Sequence, residues 1–290
     1  MDSYPIPLKH PYLCRMKFKD YSLIDEIKDQ LDILGFKRPT DIQHRAIKPI
    51  LDGEDVMAVA QTGTGKTAAF VIPMLHKFAT KRRGAYKGIR GLVLVPTREL
   101  AKQISDVVVQ IGAKTPVSVL GLYGGVEQEK QITQLKNGLD ILVSTPGRMF
   151  DLIAQGFIDI SKLEMLVLDE ADTMLDMGFI NDVKKIVKLT PKNRQTLLFS
   201  ATMPIAIREL AEMFLQDPAK VEVSPVSSTA ENVEQRIYFV DKTEKRNLLY
   251  HLIKNENLSD VLVFSRTKHG ADNVVKALRK NNIAAEAIHG

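Results

Sequence analysis

The sequence predicts an α/β domain built on a doubly wound parallel sheet, followed by the start of a second α/β domain. Three observations carry that expectation. Short apolar runs of β type alternate with amphipathic stretches of helix length from Val56 to Phe214. Several runs are apolar on both faces, as strands must be when helices cover both sides of a parallel sheet. A glycine turn joins the first run to the helix after it, as at the nucleotide end of doubly wound sheets.

The elements follow in order. Two helices, Leu23–Leu34 and Asp41–Leu51, precede the first strand. Gly35 stops the first, and Pro39-Thr40-Asp41 opens the second with a capping residue. Strands are predicted at Val56–Ala60, Leu92–Val95, Val117–Leu122, Ile141–Ser144, Leu166–Leu168 and Thr196–Ser200. Helical patterns fill the gaps at Thr67–Ala79, Arg98–Gly112, Val126–Lys136 and Ile205–Phe214. Composition changes at Ser224–Asn232 (SPVSSTAEN), which has the small polar character of a linker. Beyond it strands are expected at Gln235–Val240, Val261–Ser265 and Ala284–His289, with helices at Lys242–Asn255 and Lys268–Lys280. The division predicted is an extension over 1–16, a first domain over 17–223, a linker over 224–232 and a partial second domain over 233–290.

Composition narrows the function classes. The 290 residues are 44% apolar and 26% charged, which excludes disordered, collagenous and coiled-coil chains. Cys14 is the only cysteine, so no internal disulfide forms, and a reducing cytoplasmic setting is expected. The longest apolar run, Ala68–Leu75, is far short of a membrane span of about 20 residues. Pro5, Pro7, His10 and Pro11 interrupt any leader-like segment, so a soluble protein is expected. A net charge of +5 is compatible with nucleic acid without requiring it. The strongest basic cluster, Lys81-Arg82-Arg83, reads as a solvated loop. The six histidines show no ligand spacing, so no structural metal is expected.

Two motifs carry chemistry. The first strand runs into Ala60-Gln61-Thr62-Gly63-Thr64-Gly65-Lys66-Thr67, and a helix follows. Strand, glycine loop and helix start in that order form a phosphate-binding loop. Gly63 and Gly65 let backbone N–H groups turn inward on a polyphosphate, and the helix start adds its positive dipole end. Lys66 would neutralise the β and γ phosphates of ATP, and the Thr67 hydroxyl would ligate Mg²⁺. Ala60 stands where the usual pattern has its first glycine. The second motif, Asp169-Glu170-Ala171-Asp172, ends an apolar strand. Acids there are costly unless a cation faces them. Asp169 would hold Mg²⁺, and Glu170 would polarise the attacking water.

With these two sites the sequence shows Pro96-Thr97-Arg98-Glu99-Leu100, Gly124-Gly125, Thr145-Pro146-Gly147-Arg148 and Ser200-Ala201-Thr202. Upstream stands Gly35-Phe36-Lys37-Arg38-Pro39-Thr40-Asp41-Ile42-Gln43. In this order the motifs closely resemble those of the DEAD-box ATP-dependent RNA helicases, over Lys17 to Gly290. Asp41 departs from the proline often found at its position. The resemblance implies RecA-like domains, ATP and Mg²⁺ as cofactors, and RNA as partner. It implies that Gln43 reads adenine and that Phe36 and Phe18 flank the base, ordinary packing being the alternative for both rings. It implies RNA contacts from Pro96, Thr97, Arg98, Gly124, Gly125, Thr145, Pro146, Gly147 and Arg148, and from Arg266 in the second domain. Asp172, Ser200 and Thr202 would couple nucleotide state to RNA binding, with helix capping the alternative for the two hydroxyls. Family members add arginines from the second domain that are not found in this sequence. The expectation is therefore a chain that binds Mg-ATP, hydrolyses it slowly and unwinds nothing alone, either part of a helicase or a truncated ATP- and RNA-binding module. Since the likeness begins at Lys17, Met16 is an alternative start.

Overall fold

Every strand of the first unit is parallel to its neighbours, in the order β3-β4-β2-β5-β6-β1-β7. The computed structural model describes residues 16–81, 88–125, 127–223, 234, 236–256 and 258–289. Cys14, Arg82, Arg83, Gln235 and the linker at 224–232 lie outside the described residues. The chain divides into two units, Met1–Val226 and Ser227–Gly290.

In the first unit, a short 3-10 turn at Phe18–Asp20 leads to α1 (Asp25–Ile33) and α2 (Asp41–Asp52). Then come β1 (Val56–Val59), α3 (Lys66–Thr80), β2 (Gly91–Leu94), α4 (Arg98–Ile111), β3 (Val119–Leu122), α5 (Gln128–Lys136) and β4 (Ile141–Ser144). They are followed by α6 (Pro146–Ala154), β5 (Met165–Leu168), α7 (Ala171–Asp176), α8 (Ile180–Lys188), β6 (Gln195–Ser200), α9 (Ile205–Phe214) and β7 (Ala219–Glu222). The sheet is the α/β doubly wound arrangement expected, with one more strand, β7, at its edge.

The double-faced apolar pattern explains the layers. On β2, Val93 packs into one core with Ile27, Ile42, Phe70 and Ile104, from α1 to α4. Its neighbours Leu92 and Leu94 enter a second core with Met149, Met174, Val183 and Leu210, from α6 to α9. Successive side chains on a strand point to opposite faces, so each residue shift changes layers. On β6, Leu197 and Phe199 join the first core and Leu198 the second.

Parallel register brings the carboxyl ends of the strands to one edge. Leu122, Ser144, Leu94 and Leu168 are successive partners across β3, β4, β2 and β5. Leu168 faces Leu198 on β6, so Ser200 projects two residues further, where it faces Val59. That extra reach places Ser200 beside the turn after β5.

The second unit contains α10 (Lys245–Asn255) and α11 (Lys268–Lys280), close to expectation. The three strands expected there do not form: among the described residues none of those segments is paired in a sheet. A strand needs a neighbour to take its ladder hydrogen bonds, which an apolar pattern alone does not supply. Phe239, Leu262, Phe264 and Ile288 are correspondingly exposed.

Candidate nucleotide and nucleic-acid site

The phosphate loop is shaped by two left-handed glycines. Gly63 has φ +83° and Gly65 φ +94°, a region costly for side-chain-bearing residues. Thr64 Oγ1 donates to the Gln61 carbonyl at 2.7 Å, closing the turn from within. Ala60 is buried, has no left-handed backbone, and donates its N–H to the Ser200 carbonyl at 3.0 Å. A methyl is therefore accommodated where the usual pattern has glycine.

Gln43 is 3% exposed and braces the loop. Its Oε1 accepts from the Thr40 N–H at 2.9 Å, and its Nε2 donates to the Gly65 carbonyl at 3.1 Å. Earlier in the chain, Phe18 and Phe36 meet edge to face with ring centroids 6.0 Å apart. Phe18 is buried and Phe36 half-buried against the first core. A cleft of about 640 Å³ opens there, lined by Phe18, Phe36, Lys28, Asp29, Lys37 and Arg38. A larger cleft of about 830 Å³, bounded by Glu54, Lys77, Glu164 and Arg194, contains none of the predicted motif residues.

Lys66 opens α3 and is 6% exposed, yet its Nζ is buried without a hydrogen-bond partner. A buried ammonium in that condition is costly unless an anion completes its shell. Asp169, after β5, is also buried. Burial pushes its carboxyl up to about 6; the Lys66 charge opposes this, and Glu170 adds to it. Cation and anion thus face the same edge without forming an ion pair with each other. Among the described residues Asp169 Oδ1 accepts only the Glu170 N–H at 3.0 Å, so a polyphosphate on Lys66 and a divalent cation on Asp169 would offset the two buried charges. Among the described residues no three His, Cys, Asp or Glu side chains converge as a metal cage. Mg²⁺ seldom needs one, since it keeps waters and shares substrate phosphates.

Glu170 holds φ +53° and ψ +51° as it caps α7. For a residue with a side chain this conformation costs about 1–3 kcal/mol, and such strain clusters at functional turns. Two residues on, Asp172 Oδ2 accepts from both the N–H and the Oγ1 of Thr202 at 2.8 Å. The Asp172 N–H donates to Ser200 Oγ at 3.3 Å. Ser200 and Thr202 therefore join the acidic turn, and neither caps α9, whose N-cap is Pro204.

The remaining motifs occupy β3, β4 and β2, adjacent strands at the other side of the edge. Pro96 is buried, and Thr97 caps α4 by accepting from the Leu100 N–H at 3.2 Å. Gly125 has φ +81°, and a Cβ there would collide with Arg98 Nη1; a Cβ on Gly124 would come 3.4 Å from Arg98 Nη2. Thr145 precedes α6, with Pro146 at its first turn. A Cβ on Gly147 would meet open space. Arg148 is held by Gln128 and Gln131 of α5, two residues the sequence reading missed. Their i, i+3 spacing is the only sequence signal, and it does not identify a partner. Arg266 belongs to the second unit, where it is exposed just before α11.

The sheet order thus separates the motifs into two blocks. Phosphate loop, acidic turn and hydroxyl motif stand at the ends of β1, β5 and β6, and the other three motifs at the ends of β2, β3 and β4. A family model for DEAD/DEAH box helicases matches residues 40–210. The DEAD-box ATP-dependent RNA helicase CshA of Geobacillus kaustophilus is 42% identical over 94% of this chain and 58% of its own length. The ATP-dependent RNA helicase CshA of Listeria monocytogenes is 41% identical over 94% of this chain and 52% of its own. The chain spans a little over half the length of these curated relatives. The crystal structure of a DEAD box protein from the hyperthermophile Methanococcus jannaschii superposes with TM-score 0.68 at 37% identity, over 95% of this chain and 73% of that one. With a seven-stranded RecA-like sheet and its acidic turn at Asp169–Asp172, the chain belongs to the DEAD/DEAH box helicase family.

Proposed function

We propose that this chain is the nucleotide-binding part of an ATP-dependent RNA helicase, coupling ATP binding and hydrolysis to RNA binding and local duplex opening. The observation that supports it most directly is the buried, unpartnered Lys66 Nζ beside the buried Asp169. Backbone N–H groups from Gly63 to Thr67 orient the β and γ phosphates, and Lys66 neutralises them. Gln43, Phe36 and Phe18 shape the base end of the site. Thr67 and Asp169 would hold Mg²⁺, which when bound offsets charge on the phosphates. Glu170 orients the attacking water and takes up its proton. The Asp172–Ser200–Thr202 knot joins the turns after β5 and β6, so a shift at Glu170 is felt at Thr202. On the other block, Arg98 and Arg148 engage RNA phosphates, with Pro96, Thr97, Thr145 and Gly147 shaping the backbone path. In the second unit, Arg266 adds an RNA contact. A cytoplasmic setting belongs to the same reading, supported by Cys14 being the only cysteine.

Nucleotide binding by residues 1–290, followed with a fluorescent ATP analogue and Mg²⁺, tests this reading. Lys66→Ala should weaken binding at least tenfold without lowering the thermal midpoint. Equal affinity in the variant would overturn it. RNA-stimulated turnover by the same chain would place the whole catalytic cycle in it. Binding without turnover would assign it the nucleotide-binding part of that cycle.

A further inference from the structure

Helix α5 has an unusual inner face. Its sequence is QEKQITQLK, and its only fully buried residue is Gln131, not Ile132 or Leu135. Burying a carboxamide is unfavourable unless its hydrogen-bonding groups are matched. Here Nε2 donates to the Tyr123 carbonyl at 3.2 Å. Oε1 accepts from Arg148 Nη2 at 3.2 Å and from Nε at 3.4 Å. Gln128, one turn earlier, accepts from Arg148 Nη1 at 3.1 Å. Among the described residues, no carboxylate is within ion-pair distance of Arg148.

We propose that Gln131 is a positioning residue that locks the guanidinium of Arg148 to the Tyr123–Gly125 turn while leaving its positive charge free for an RNA phosphate. The inference rests on the RNA reading above and adds a residue to it. A carboxylate at position 131 would hold the guanidinium as well or better, since charge-assisted pairs are stronger. It would also cancel the charge that a phosphate must meet. A neutral amide fixes the geometry and leaves the charge available. The same side chain anchors the carbonyl just before Gly124, and Arg98 packs on Gly125. Gln131 thereby couples the ends of β3 and β4 into one rigid phosphate-facing corner.

The test is binding of a fluorescent single-stranded RNA by residues 1–290 across a salt series, with and without an ATP analogue. Each phosphate neutralised on a single strand contributes about 0.7 to the slope of log affinity against log salt. Arg148→Ala should reduce the slope by that amount and weaken binding about fivefold at 0.1 M salt. Gln131→Glu should do the same with Arg148 present, and the double variant should lose no more than either single one. Gln128→Glu, at a partly exposed position, should lower the slope in the same direction and covers the case in which Gln131→Glu does not fold. A thermal midpoint matching that of the unsubstituted chain identifies the variants that fold. A normal slope in the folded glutamate variants, beside a reduced slope in Arg148→Ala, overturns the role of Gln131. No RNA binding by the unsubstituted chain, or none lost in Arg148→Ala, overturns the RNA reading itself.

Discussion

Asp172 shows how hydrogen bonds can hold a half-buried carboxyl in its charged form. Burial raises its carboxyl, but hydrogen bonds from Thr202 and Ser200 outweigh that and hold it below the usual carboxylate range. A carboxyl lowered on folding adds stability above the unfolded value of about 3.9 and loses it as pH falls through the folded one. Asp172→Asn should therefore cost about 1 kcal/mol near neutrality, where charged hydrogen bonds are strongest. The gap in thermal midpoint between the two proteins should close between roughly pH 4 and the folded value. A gap independent of pH would show that the charge is not what matters. At this scale the motifs were legible as residue types in order, because phosphate loops and acidic turns are defined by local chemistry. The strained backbone of Glu170 and the grip of Gln131 on Arg148 were not, since both depend on what arrives from distant segments.

Among the elements, α2 and α3 begin side by side because one carboxamide serves both. Gln43 takes the Thr40 N–H at the start of α2 and gives to the Gly65 carbonyl at the start of α3. This arrangement predicts a cost in the nucleotide-free protein. Gln43→Leu should lower unfolding stability by about 2 kcal/mol, from two part-buried hydrogen bonds lost, measured by urea denaturation without ATP. Unchanged stability would confine Gln43 to work on a bound base. Helices with a clear apolar stripe were found almost to the residue, and α9 matches its expected range of Ile205–Phe214. Strand β7 was missed because only Val221 of Ala219–Glu222 is buried, which leaves no apolar run to detect. Helix α7, at six residues, is too short to show a helical period, and α8 begins only four residues after it ends.

Taken whole, the first unit contains all seven strands and both cores. A fragment spanning residues 16–223 should consequently unfold in one cooperative transition and bind the ATP analogue as the full chain does. Calorimetry and titration of that fragment check this; loss of binding would mean that the second unit completes the site. The presence of a parallel sheet was legible, but the strand order was not, because alternation of strands and helices is compatible with many orders.

That order has a consequence for synthesis on the ribosome. Strand β1, which leads into the phosphate loop, pairs only with β6 and β7. Those partners emerge about 140 to 160 residues later, which at roughly 5–20 residues per second takes about seven to thirty seconds. Throughout that interval both edges of β1 lack their partners, while β2, β3, β4 and β5 emerge in turn and can pair among themselves before it ends. The glycine loop after β1 is thus among the last parts of the unit to be built, and a nascent chain halted before Gln195 would have β2 to β5 assembled while β1 and its loop are still unpaired.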